Sequence, residues 1–528
     1  MQWIALFAAL VLLDASLTFE NLWPTPAILW KGELSIELAI CILALAIATR
    51  RFGPPSRAAV GWLSAVWTLL VIGRYAEVTA PALYGRDINL YWDLRFIPDV
   101  VAMVTRVAPL WLVVVCVAGA ALILGVLFWL LRLALRRVGA AMADPGERRA
   151  LALLSTVAVV LWAAQNVSAR LPREPAFSTP VTATYLRQIR FVSAALAGST
   201  SLAPSPAMNS DLSRVEGTDV FVVFLESYGA VSFERPEIAA ALIASRAQFS
   251  AAVRETHREV VSAYVESPTF GGSSWLAHLS LMSGIEVRDP DTNAKLMTSH
   301  RDTMVRAFGR HGFRTIGLMP GQRQVWPEGS FYGFDDIYGA DRLDYNGPEF
   351  GWFAIPDQFS LDRFDRLEAS RPSRPPLFVV FPTISTHFPF SPTPPYQPDW
   401  RRMSTDRPYD GPDIVRAYAG EPDWMNFSPG YVNAMAYDLA SIAGYLRKHA
   451  DRDLVMVVLG DHQPPAAVSG EGAPWDVPVH VIASRKDVLD RLVARGFRAG
   501  LTPQRPAISR MHALLLTLLD AFGDAVQP

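Results

Sequence analysis

The segment Val455–Pro465 reads VMVVLGDHQPP and decides how the C-terminal part of the chain is interpreted. Its apolar run predicts a buried strand that ends at Gly460, so that Asp461 and His462 lie side by side at the strand's tip. Ligands and catalytic groups of open α/β sheets collect at this edge. A carboxylate beside an imidazole suits a divalent metal, although a strand followed by a polar turn would have the same sequence. The rest of the chain has to distinguish these interpretations.

Composition separates an apolar N-terminal part from a globular C-terminal part. The 528 residues are 51% hydrophobic, and the mean hydropathy is +0.20. Long apolar runs are confined to the residues before about Ala169. A net charge of −2 implies no general attraction to nucleic acid. Abundant arginine and alanine with scarce lysine is typical of a bacterial protein from a GC-rich genome.

Cysteine and histidine usage limits the chemistry of the C-terminal part. Cys41 and Cys116 both lie in apolar runs, where cysteine behaves as a small hydrophobic residue. The C-terminal part therefore has neither a disulfide framework nor a cysteine-based zinc site. All nine histidines lie at or after His257, so any imidazole chemistry belongs to the same part.

Five apolar segments of the N-terminal part approach the ~20 residues that a membrane-spanning helix needs. The first lacks a charged region and a clear cleavage site, so we interpret it as a span and not as a signal peptide. Its Asp14 is expected to face protein or to mark a functional path. We predict a five-helix transmembrane bundle within residues 1–167, with spans at Trp3–Phe19, Leu34–Thr49, Ala58–Ala76, Pro109–Leu135 and Arg149–Asn166.

Arginine-rich loops set the predicted orientation. The loop around Arg50 and Arg57 and the stretch from Arg132 to Arg149 are strongly basic, and such short loops stay in the cytoplasm. Five spans then place the N-terminus inside and everything after Asn166 outside. We therefore expect a multi-pass protein of the bacterial inner membrane whose C-terminal domain lies in the periplasm.

Two further segments are predicted near the membrane surface. Residues 88–104 (INLYWDLRFIPDVVAMV) place aromatic side chains beside charges, which is typical of an interfacial anchor or of an entrance for a lipid substrate. Residues 168–217 are rich in Pro, Ser, Thr and Ala and indicate a linker. Within this linker, Thr184–Ala197 has the apolar spacing of an amphipathic helix.

Strand and helix patterns alternate over residues 218–528, which predicts one large α/β domain with a mostly parallel central sheet and helices on both faces. Besides the opening segment, strands are expected at DVFVVFLES (219–227), Arg314–Leu318, PPLFVVFPTIS (375–385) and VPVHVIAS (477–484). Helices are expected at Glu237–His257, Asp302–His311, Leu361–Leu367, Tyr431–His449 and Ile508–Phe522.

Three of these strands end in residues that suit a single site. Glu226 ends the first, His387 follows the second, and Asp461 and His462 follow the third. The carboxyl ends of parallel strands share one edge of the sheet, so we expect these side chains to converge.

A nucleophile is predicted between the first two of these strands. Small residues at 269–273 (TFGGS) lead into an apparent helix, so Ser273 or Ser274 lies near a helix N-terminus. There the helix dipole and free N–H groups favour an anion, and a metal can activate a hydroxyl. Ordinary N-capping by a serine is the alternative interpretation.

The ordered set of motifs resembles the sulfatase-like branch of the alkaline phosphatase superfamily. The resemblance rests on the strand before Glu226 and Ser227, the region of Ser274, THFPF (386–390) and GDH (460–462). With the preceding spans, the chain is similar to the family of lipoteichoic acid synthase and the membrane phosphoglycerol and phosphoethanolamine transferases.

The resemblance implies roles for individual residues. Glu226, Asp461 and His462 would hold one divalent metal ion (Mn²⁺, Zn²⁺ or Mg²⁺), with Ser274 as fourth ligand and nucleophile and Ser273 as the alternative. Related transferases usually have threonine at this place, so serine is a departure. His387 would contact the transferred group or protonate the leaving oxygen.

Other residues map less directly. Arg323 and Trp326, within Gln322–Trp326, fall where relatives hold the substrate. His278 lies one helical turn after Ser274 and either faces the site or packs in the helix. His480 lies in an apolar strand and is expected to be a hydrogen-bonded core histidine.

The implied function is transfer of a phospholipid head group, phosphoglycerol or phosphoethanolamine, through a phospho-serine to an envelope glycan or lipid. A sulfatase or phosphodiesterase of the same superfamily is the nearest alternative. Type I sulfatases carry Cys/Ser-x-Pro-x-Arg, whereas this chain has SWLAH at 274–278. A catalytically silent protein of envelope assembly is the third possibility. The lack of cysteines in the outer domain favours phosphoglycerol, since the phosphoethanolamine enzymes are typically disulfide-stapled.

Overall fold

The fold is described from a computed structural model of the chain. It describes residues 2–525 except 24, 95–96, 99–100, 103–104, 106–109, 168–175, 197–201, 324–325, 421–422 and 424. Parts of the predicted outer loop (88–104) and of the predicted linker (168–217) therefore lie outside the described residues, as does Pro109. The chain forms two compact units, Met1–Ser199 and Thr200–Pro528.

The N-terminal unit is helical, and a helix occupies each of the five predicted spans. Three of these helices, α3, α5 and α6, are long and apolar enough to cross a membrane among the described residues. The most apolar window, in α5, has no residue buried inside the protein, as expected of a lipid-facing surface. The count of five spans stays a prediction. The elements are α1 (Gln2–Thr18), β1 (Phe19–Asn21), β2 (Ile28–Trp30), α2 (Ile36–Phe52), α3 (Arg57–Tyr84), α4 (Leu90–Asp93), α5 (Leu110–Ala143), α6 (Pro145–Val167) and α7 (Val181–Leu196).

Polar side chains inside this unit form hydrogen bonds with other side chains or with the backbone. Asp14 accepts a hydrogen bond from the backbone N–H of Ser35 (2.9 Å), so it faces protein as expected. The predicted linker helix is α7, which packs within this unit because Thr184 donates to Glu77 (2.6 Å) and Gln188 donates to the carbonyl of Ile88 (2.8 Å).

The C-terminal unit is built on one mixed sheet. Its helices are α8 (Val231–Glu234), α9 (Pro236–Ala241), α10 (Ile243–Glu255), α11 (Ser274–Ser283), α12 (Pro290–Met297), α13 (Met304–Arg310), α14 (Ala340–Leu343), α15 (Asp357–Phe364), α16 (Gly411–Ala419), α17 (Ser428–Lys448), α18 (Ala466–Ser469), α19 (Lys486–Ala494) and α20 (Met511–Phe522). Its strands are β3 (Asp219–Leu225), β4 (Glu259–Glu266), β5 (Arg314–Leu318), β6 (Asp336–Tyr338), β7 (Leu377–Pro382), β8 (Leu454–Gly460), β9 (Asp476–Ala483), β10 (Arg498–Ala499) and β11 (Ser509–Arg510).

The predicted mostly parallel sheet is correct for its centre and wrong for one side. The strand order is β10-β4-β9-β8-β3-β7-β5-β6, with β11 beside β4. Strands β8, β3, β7, β5 and β6 are parallel, whereas β9 is antiparallel to both β8 and β4. The segment between β8 and β9 stays at the carboxyl edge of the sheet. There the N–H of Ala230 donates to the carbonyl of Asp476, the first residue of β9. The chain therefore enters the sheet again from this edge, and β9 runs opposite to β8.

Both faces of the sheet are covered, as predicted. Alternate residues of β3 contribute to two cores: Val220, Val222 and Phe224 pack on the side of α11, α13 and α20. Phe221, Val223 and Leu225 pack on the side of α10, α15 and α17. The helix predicted over Glu237–His257 is two helices, α9 and α10, that meet at Leu242.

A close backbone approach explains the glycine at the end of β8. A Cβ added to Gly460 would lie 1.8 Å from the carbonyl oxygen of Tyr228, so no larger residue fits without a backbone shift. Gly460 pairs with Leu225 of β3, and the next residues on the two strands are Asp461 and Glu226. The pairing of Gly460 with Leu225 therefore places these two carboxylates at the same sheet edge.

Candidate metal centre

Three neighbouring strands carry the predicted site residues. Glu226 follows β3, Asp461 and His462 follow β8, and His387 lies five residues after the end of β7. These strands are adjacent in the order β8-β3-β7. The predicted convergence rests on this parallel centre, which the reversed strand β9 does not disturb.

The hydroxyl of Ser274 lies between two of these side chains. Helix α11 begins at Ser274. Ser274 Oγ donates to Glu226 Oε2 (2.7 Å) and lies 3.1 Å from His462 Nε2. Ser273 has a left-handed φ of 62° and makes no capping hydrogen bond with its side chain. The structure thus brings Ser274 to the predicted ligands, whereas Ser273 occupies the N-cap position without a side-chain capping bond.

Backbone contacts orient Asp461 and His462. Asp461 Oδ1 accepts hydrogen bonds from the N–H groups of Ser227 (2.8 Å) and His462 (2.6 Å). Asp461 Oδ2 is buried and has no hydrogen-bond partner among the described residues. His462 Nδ1 lies 2.7 Å from the carbonyl of Gln463, and that carbonyl can only accept. His462 therefore carries a hydrogen on Nδ1 and turns Nε2 towards Glu226 Oε1 at 3.3 Å.

The donor set fits a divalent cation. Glu226, Asp461 and His462 are buried and each offers a ligand atom within 4.8 Å of the other two. Oxygen and imidazole ligands suit Zn²⁺ and Mn²⁺, and a metal-ligating histidine usually donates its other N–H to a carbonyl. The unpaired Asp461 Oδ2 supplies a free carboxylate oxygen in the same place.

The electrostatics of the cluster also call for positive charge. Burial raises the pKa of Asp461 well above its usual value, and the Glu226 carboxylate adds to this effect. Burial acts to lower the pKa of His462, but the carboxylates of Asp461 and Glu226 outweigh it and raise the pKa to about 9. Burial opposes ionisation of Glu226 as well, yet His462 holds its pKa well below the usual value. A divalent ion could replace the imidazole proton in this role.

His387 lies beside this cluster and close to an arginine. Its charge lowers the pKa of Glu226, although less than His462 does. His387 Nδ1 lies 2.7 Å from the carbonyl of Phe388, and its ring meets Phe353 edge-on at 5.0 Å between centroids. The Arg323 guanidinium lies 5.8 Å from the centre of the same Phe353 ring. Phe353 therefore links the predicted catalytic histidine to the predicted substrate-binding arginine.

Trp326 has a different environment from Arg323. Its ring packs on Tyr332 with centroids 5.5 Å apart, and it joins the hydrophobic core. Arg323 instead lies over Trp352, 5.6 Å from the ring centre, and donates to the carbonyl of Trp352 (2.6 Å). Gln324 and Val325, between the two residues, lie outside the described residues.

The two remaining histidines differ. His480 is a hydrogen-bonded core residue, as predicted, because Nδ1 lies 2.6 Å from Ser262 Oγ and Nε2 lies 3.1 Å from the Tyr228 hydroxyl. His278 faces the cluster instead, with Nε2 4.0 Å from Asp461 Oδ2. Its Nε2 is buried without a hydrogen-bond partner among the described residues.

Several supporting residues were not predicted from the sequence. Thr383 Oγ1 accepts from the N–H of Glu226 (3.1 Å), and Asp357 and Asp438 hold the segment that leads to His387. Phe353 also belongs to this group. Thr383 lies in the polar end of the strand predicted at 375–385, which is the one signal that could have identified it. Asp357 and Asp438 lie in helices and carry no local signal.

Comparison with known protein families finds a match within the C-terminal unit. The family model described as Sulfatase matches residues 277–478, which include His387, Asp461 and His462. No curated protein sequence matches the chain significantly.

Three similar solved structures each have a TM-score below 0.5. The lipooligosaccharide phosphoethanolamine transferase A (EptA) of Neisseria meningitidis is 12% identical over 93% of this chain and 89% of that chain, with a TM-score of 0.48. The phosphoglycerol transferase GacH of Streptococcus pyogenes, in complex with sn-glycerol-1-phosphate, is 11% identical over 64% and 81%, with a TM-score of 0.38. The lipoteichoic acid synthase LtaP of Listeria monocytogenes is 14% identical over 55% and 70%, with a TM-score of 0.36. The family-model match thus makes residues 277–478 of this chain similar to the sulfatases.

Proposed function

We propose that this protein is a membrane-anchored, metal-dependent transferase for a phospholipid head group. The group would be phosphoglycerol or phosphoethanolamine, and it would pass through a phospho-serine at Ser274 to an envelope glycan or lipid. One observation carries the proposal: the Ser274 hydroxyl contacts both Glu226 and His462, 2.7 Å and 3.1 Å away. A hydroxyl in contact with two candidate metal ligands is placed to act as a nucleophile.

The residues divide the first half-reaction among them. Ser274 Oγ attacks phosphorus, the Ser274 O–P bond forms, and the bond from phosphorus to the lipid oxygen breaks. Glu226 orients the hydroxyl by accepting its hydrogen bond and takes up its proton as the new bond forms. His387 protonates the departing lipid oxygen. Its side chain is half-buried beside the cluster, so one part of the ring is open to a substrate. A bound divalent ion would supply positive charge that lowers the pKa of the serine hydroxyl and offsets charge on the phosphoryl oxygens.

The second half-reaction reverses these roles. An acceptor hydroxyl attacks the phospho-serine and gives its proton to His387, while the Ser274 O–P bond breaks and Glu226 returns the proton to the Ser274 oxygen. Helix α11 begins at the nucleophile, so the positive end of its dipole favours the negative phosphoryl group in both halves.

Arg323 is proposed to hold the transferred group. Its guanidinium lies over Trp352 and Phe353, and Phe353 contacts His387, which places a positive charge on the His387 side of the site. An arginine fork binds phosphate oxygens or a polar head group well. Trp326 packs against Tyr332, so we expect it to shape this region and to contact substrate less directly.

The N-terminal unit would hold the protein at its donor. Helices α3, α5 and α6 are long and apolar enough to cross a bilayer. We propose a multi-pass protein of the bacterial inner membrane with the C-terminal unit in the periplasm, since the basic loops favour the cytoplasm. A phospholipid donor would then lie in the same membrane as the enzyme.

A hydrolase is the second candidate, because the matching family model is that of the sulfatases. In that case water, and not a glycan or lipid, would take the group from Ser274. The residues 274–278 (SWLAH) lack the proline and arginine of type I sulfatases, which favours transfer of a phosphate derivative. A catalytically silent role is disfavoured by the intact cluster of Glu226, Asp461 and His462.

The covalent step tests the proposal. The full-length protein in vesicles is incubated with phosphatidylglycerol or phosphatidylethanolamine and its intact mass is measured. We expect an added head-group phosphate on the native protein and on Ser273→Ala, and none on Ser274→Ala. An adduct on Ser274→Ala equal to that of the native protein would overturn the mechanism. Release of the group to water with no effect of added glycan or lipid acceptors would favour the hydrolase.

A further inference from the structure

Two carboxyl groups meet behind the candidate metal centre. Asp357 is the first residue of α15, and Asp438 lies in the middle of α17. Both are 1% exposed, and both bind residues of the same segment, 383–386. They belong to the core on the α17 side of the sheet and take no part in the proposed chemistry.

Asp357 holds the backbone that leads to His387. Its carboxylate accepts hydrogen bonds from the N–H groups of Ile384 (3.0 Å) and Ser385 (2.7 Å). Asp438 holds the side chains of the same segment, because Oδ2 accepts from the hydroxyls of Thr383 (3.1 Å) and Thr386 (3.2 Å). The two carboxyls thus hold the four residues that precede His387, Asp357 through their backbone and Asp438 through their hydroxyl groups.

Thr383 extends this network to the metal centre. Its Oγ1 accepts from the N–H of Glu226 (3.1 Å), while its own N–H donates to the carbonyl of Phe224 (2.8 Å). A chain of hydrogen bonds therefore runs from Asp438 through Thr383 to the backbone of Glu226. The same carboxyl is therefore connected to both sides of the site, to Glu226 after β3 and to His387 after β7.

The charge of the pair follows from its surroundings. Two ionised carboxylates can only accept hydrogen bonds and repel each other, so two buried carboxyls held by the same four residues favour a shared proton. Asp438 Oδ1 is buried and has no hydrogen-bond partner in the described part of the chain. The groups that act most strongly on the two carboxyls include no lysine, arginine or histidine. Burial raises the pKa of Asp438 well above its usual value and that of Asp357 to about 6.

We propose that Asp438 carries a proton on Oδ1 and donates it to Asp357, and that this singly charged pair is a positioning unit for Glu226 and His387. The inference rests on the proposed function for the roles of those two residues. Asp357 is the charged member, since its two oxygens already accept backbone N–H groups. Asp438 is the neutral member, since one oxygen accepts two hydroxyls and the other is left to donate.

An asymmetry between the two positions follows. In Asp438→Asn, the amide NH₂ replaces the carboxyl O–H and the amide oxygen still accepts from Thr383 and Thr386. In Asp357→Asn, one of the carboxylate oxygens becomes an NH₂ group beside backbone donors or beside Asp438. Asp438→Asn should therefore be tolerated, while Asp357→Asn and Asp438→Ala should not.

The test compares these variants in the full-length protein in vesicles. Metal affinity is measured by competition with a chelator, and transfer is measured as kcat and KM. We expect Asp438→Asn to stay within about twofold of the native protein. We expect Asp438→Ala to weaken metal binding and lower kcat by about 10–100-fold, as is usual when groups that support metal ligands are lost. Native-like values for Asp438→Ala, or equal damage in Asp438→Asn, would overturn the proposal.

A spectroscopic readout keeps the proposal testable if Asp438→Ala does not fold. A protonated carboxyl has an infrared C=O stretch that a carboxylate lacks. The native protein minus Asp438→Asn should show this band at neutral pH, and a difference spectrum with only carboxylate bands would refute the shared proton. This outcome is independent of the mass adduct on Ser274, so failure of the proposed function and failure of this inference are distinguishable.

Discussion

His278 Nε2 lies 4.0 Å from Asp461 Oδ2, and neither buried atom has a hydrogen-bond partner among the described residues. The separation is too long for a hydrogen bond. The His278 ring packs on Phe224 with centroids 4.4 Å apart, and burial lowers its pKa to about 4. A neutral imidazole is thus held against the candidate metal centre.

Replacing His278 should weaken metal binding without abolishing it. His278→Phe keeps a ring against Phe224 but removes the nitrogen near Asp461, so we expect the dissociation constant for Zn²⁺ or Mn²⁺ to rise about tenfold or more. His300→Ala, at an exposed position, is the matched control and should bind as the native protein does. Unchanged affinity in His278→Phe would show that His278 only packs in the helix.

Removing Glu226 should remove the metal. Glu226→Ala takes away the carboxylate that contacts both Ser274 and His462, so we expect loss of stoichiometric metal in elemental analysis of the purified protein. Glu234→Ala is the control, because Glu234 pairs with Arg505 at the surface. Stoichiometric metal in Glu226→Ala would show that the ligand assignment is wrong.

His387 should matter most when the leaving group is poor. Its loss in His387→Ala removes the proposed proton donor, so we expect transfer from a phospholipid to slow by about 10²–10⁴-fold. A nitrophenyl ester of the same head group needs no protonation on departure and should react nearly as fast as with the native protein. Metal content should be unchanged. If both donors slow equally, His387 does not act as the acid.

The glycine that ends β8 should not accept a side chain. A Cβ at Gly460 would meet the carbonyl of Tyr228 at 1.8 Å, and backbone atoms cannot give way as a side chain can. We expect Gly460→Ala to destabilise the protein by about 1–3 kcal/mol, as overpacking does, and to weaken metal binding through Asp461. Gly309→Ala is the control, since its Cβ would meet only Thr315 at 3.8 Å. Equal thermal midpoints for the two variants would contradict the expectation.

The sequence predicts the parts of the site that follow strand ends. Glu226, Asp461 and His462 directly follow apolar runs, and the shared edge of parallel strands brings them together without any knowledge of distant contacts. The reversal of β9 was missed because its direction depends on the path taken from Asp461 to Trp475, which no local pattern records. Asp357 and Asp438 were missed because each lies in a helix, and their pairing depends on how α15 and α17 pack against the end of β7.

The Asp357–Asp438 pair predicts a distinct dependence of stability on pH. Asp438 has a pKa near 3.8 when unfolded and a pKa well above 3.8 when folded, since burial and then Asp357 disfavour its ionised form. Between these values the folded protein holds a proton that the unfolded chain has lost. The stabilisation is therefore complete below pH 3.8 and is lost as the pH rises towards the folded pKa.

Asp438→Asn lacks this titration, so its unfolding free energy relative to the native protein should increase by up to about 1.4 kcal/mol per pH unit over that window. Besides the pair itself, the Tyr437 phenol is a titratable group in the same cluster, and burial raises its pKa well above the usual value, so it stays neutral throughout. Thermal midpoints of both proteins from pH 5 to pH 8 would measure the effect, and a constant difference between them would contradict it.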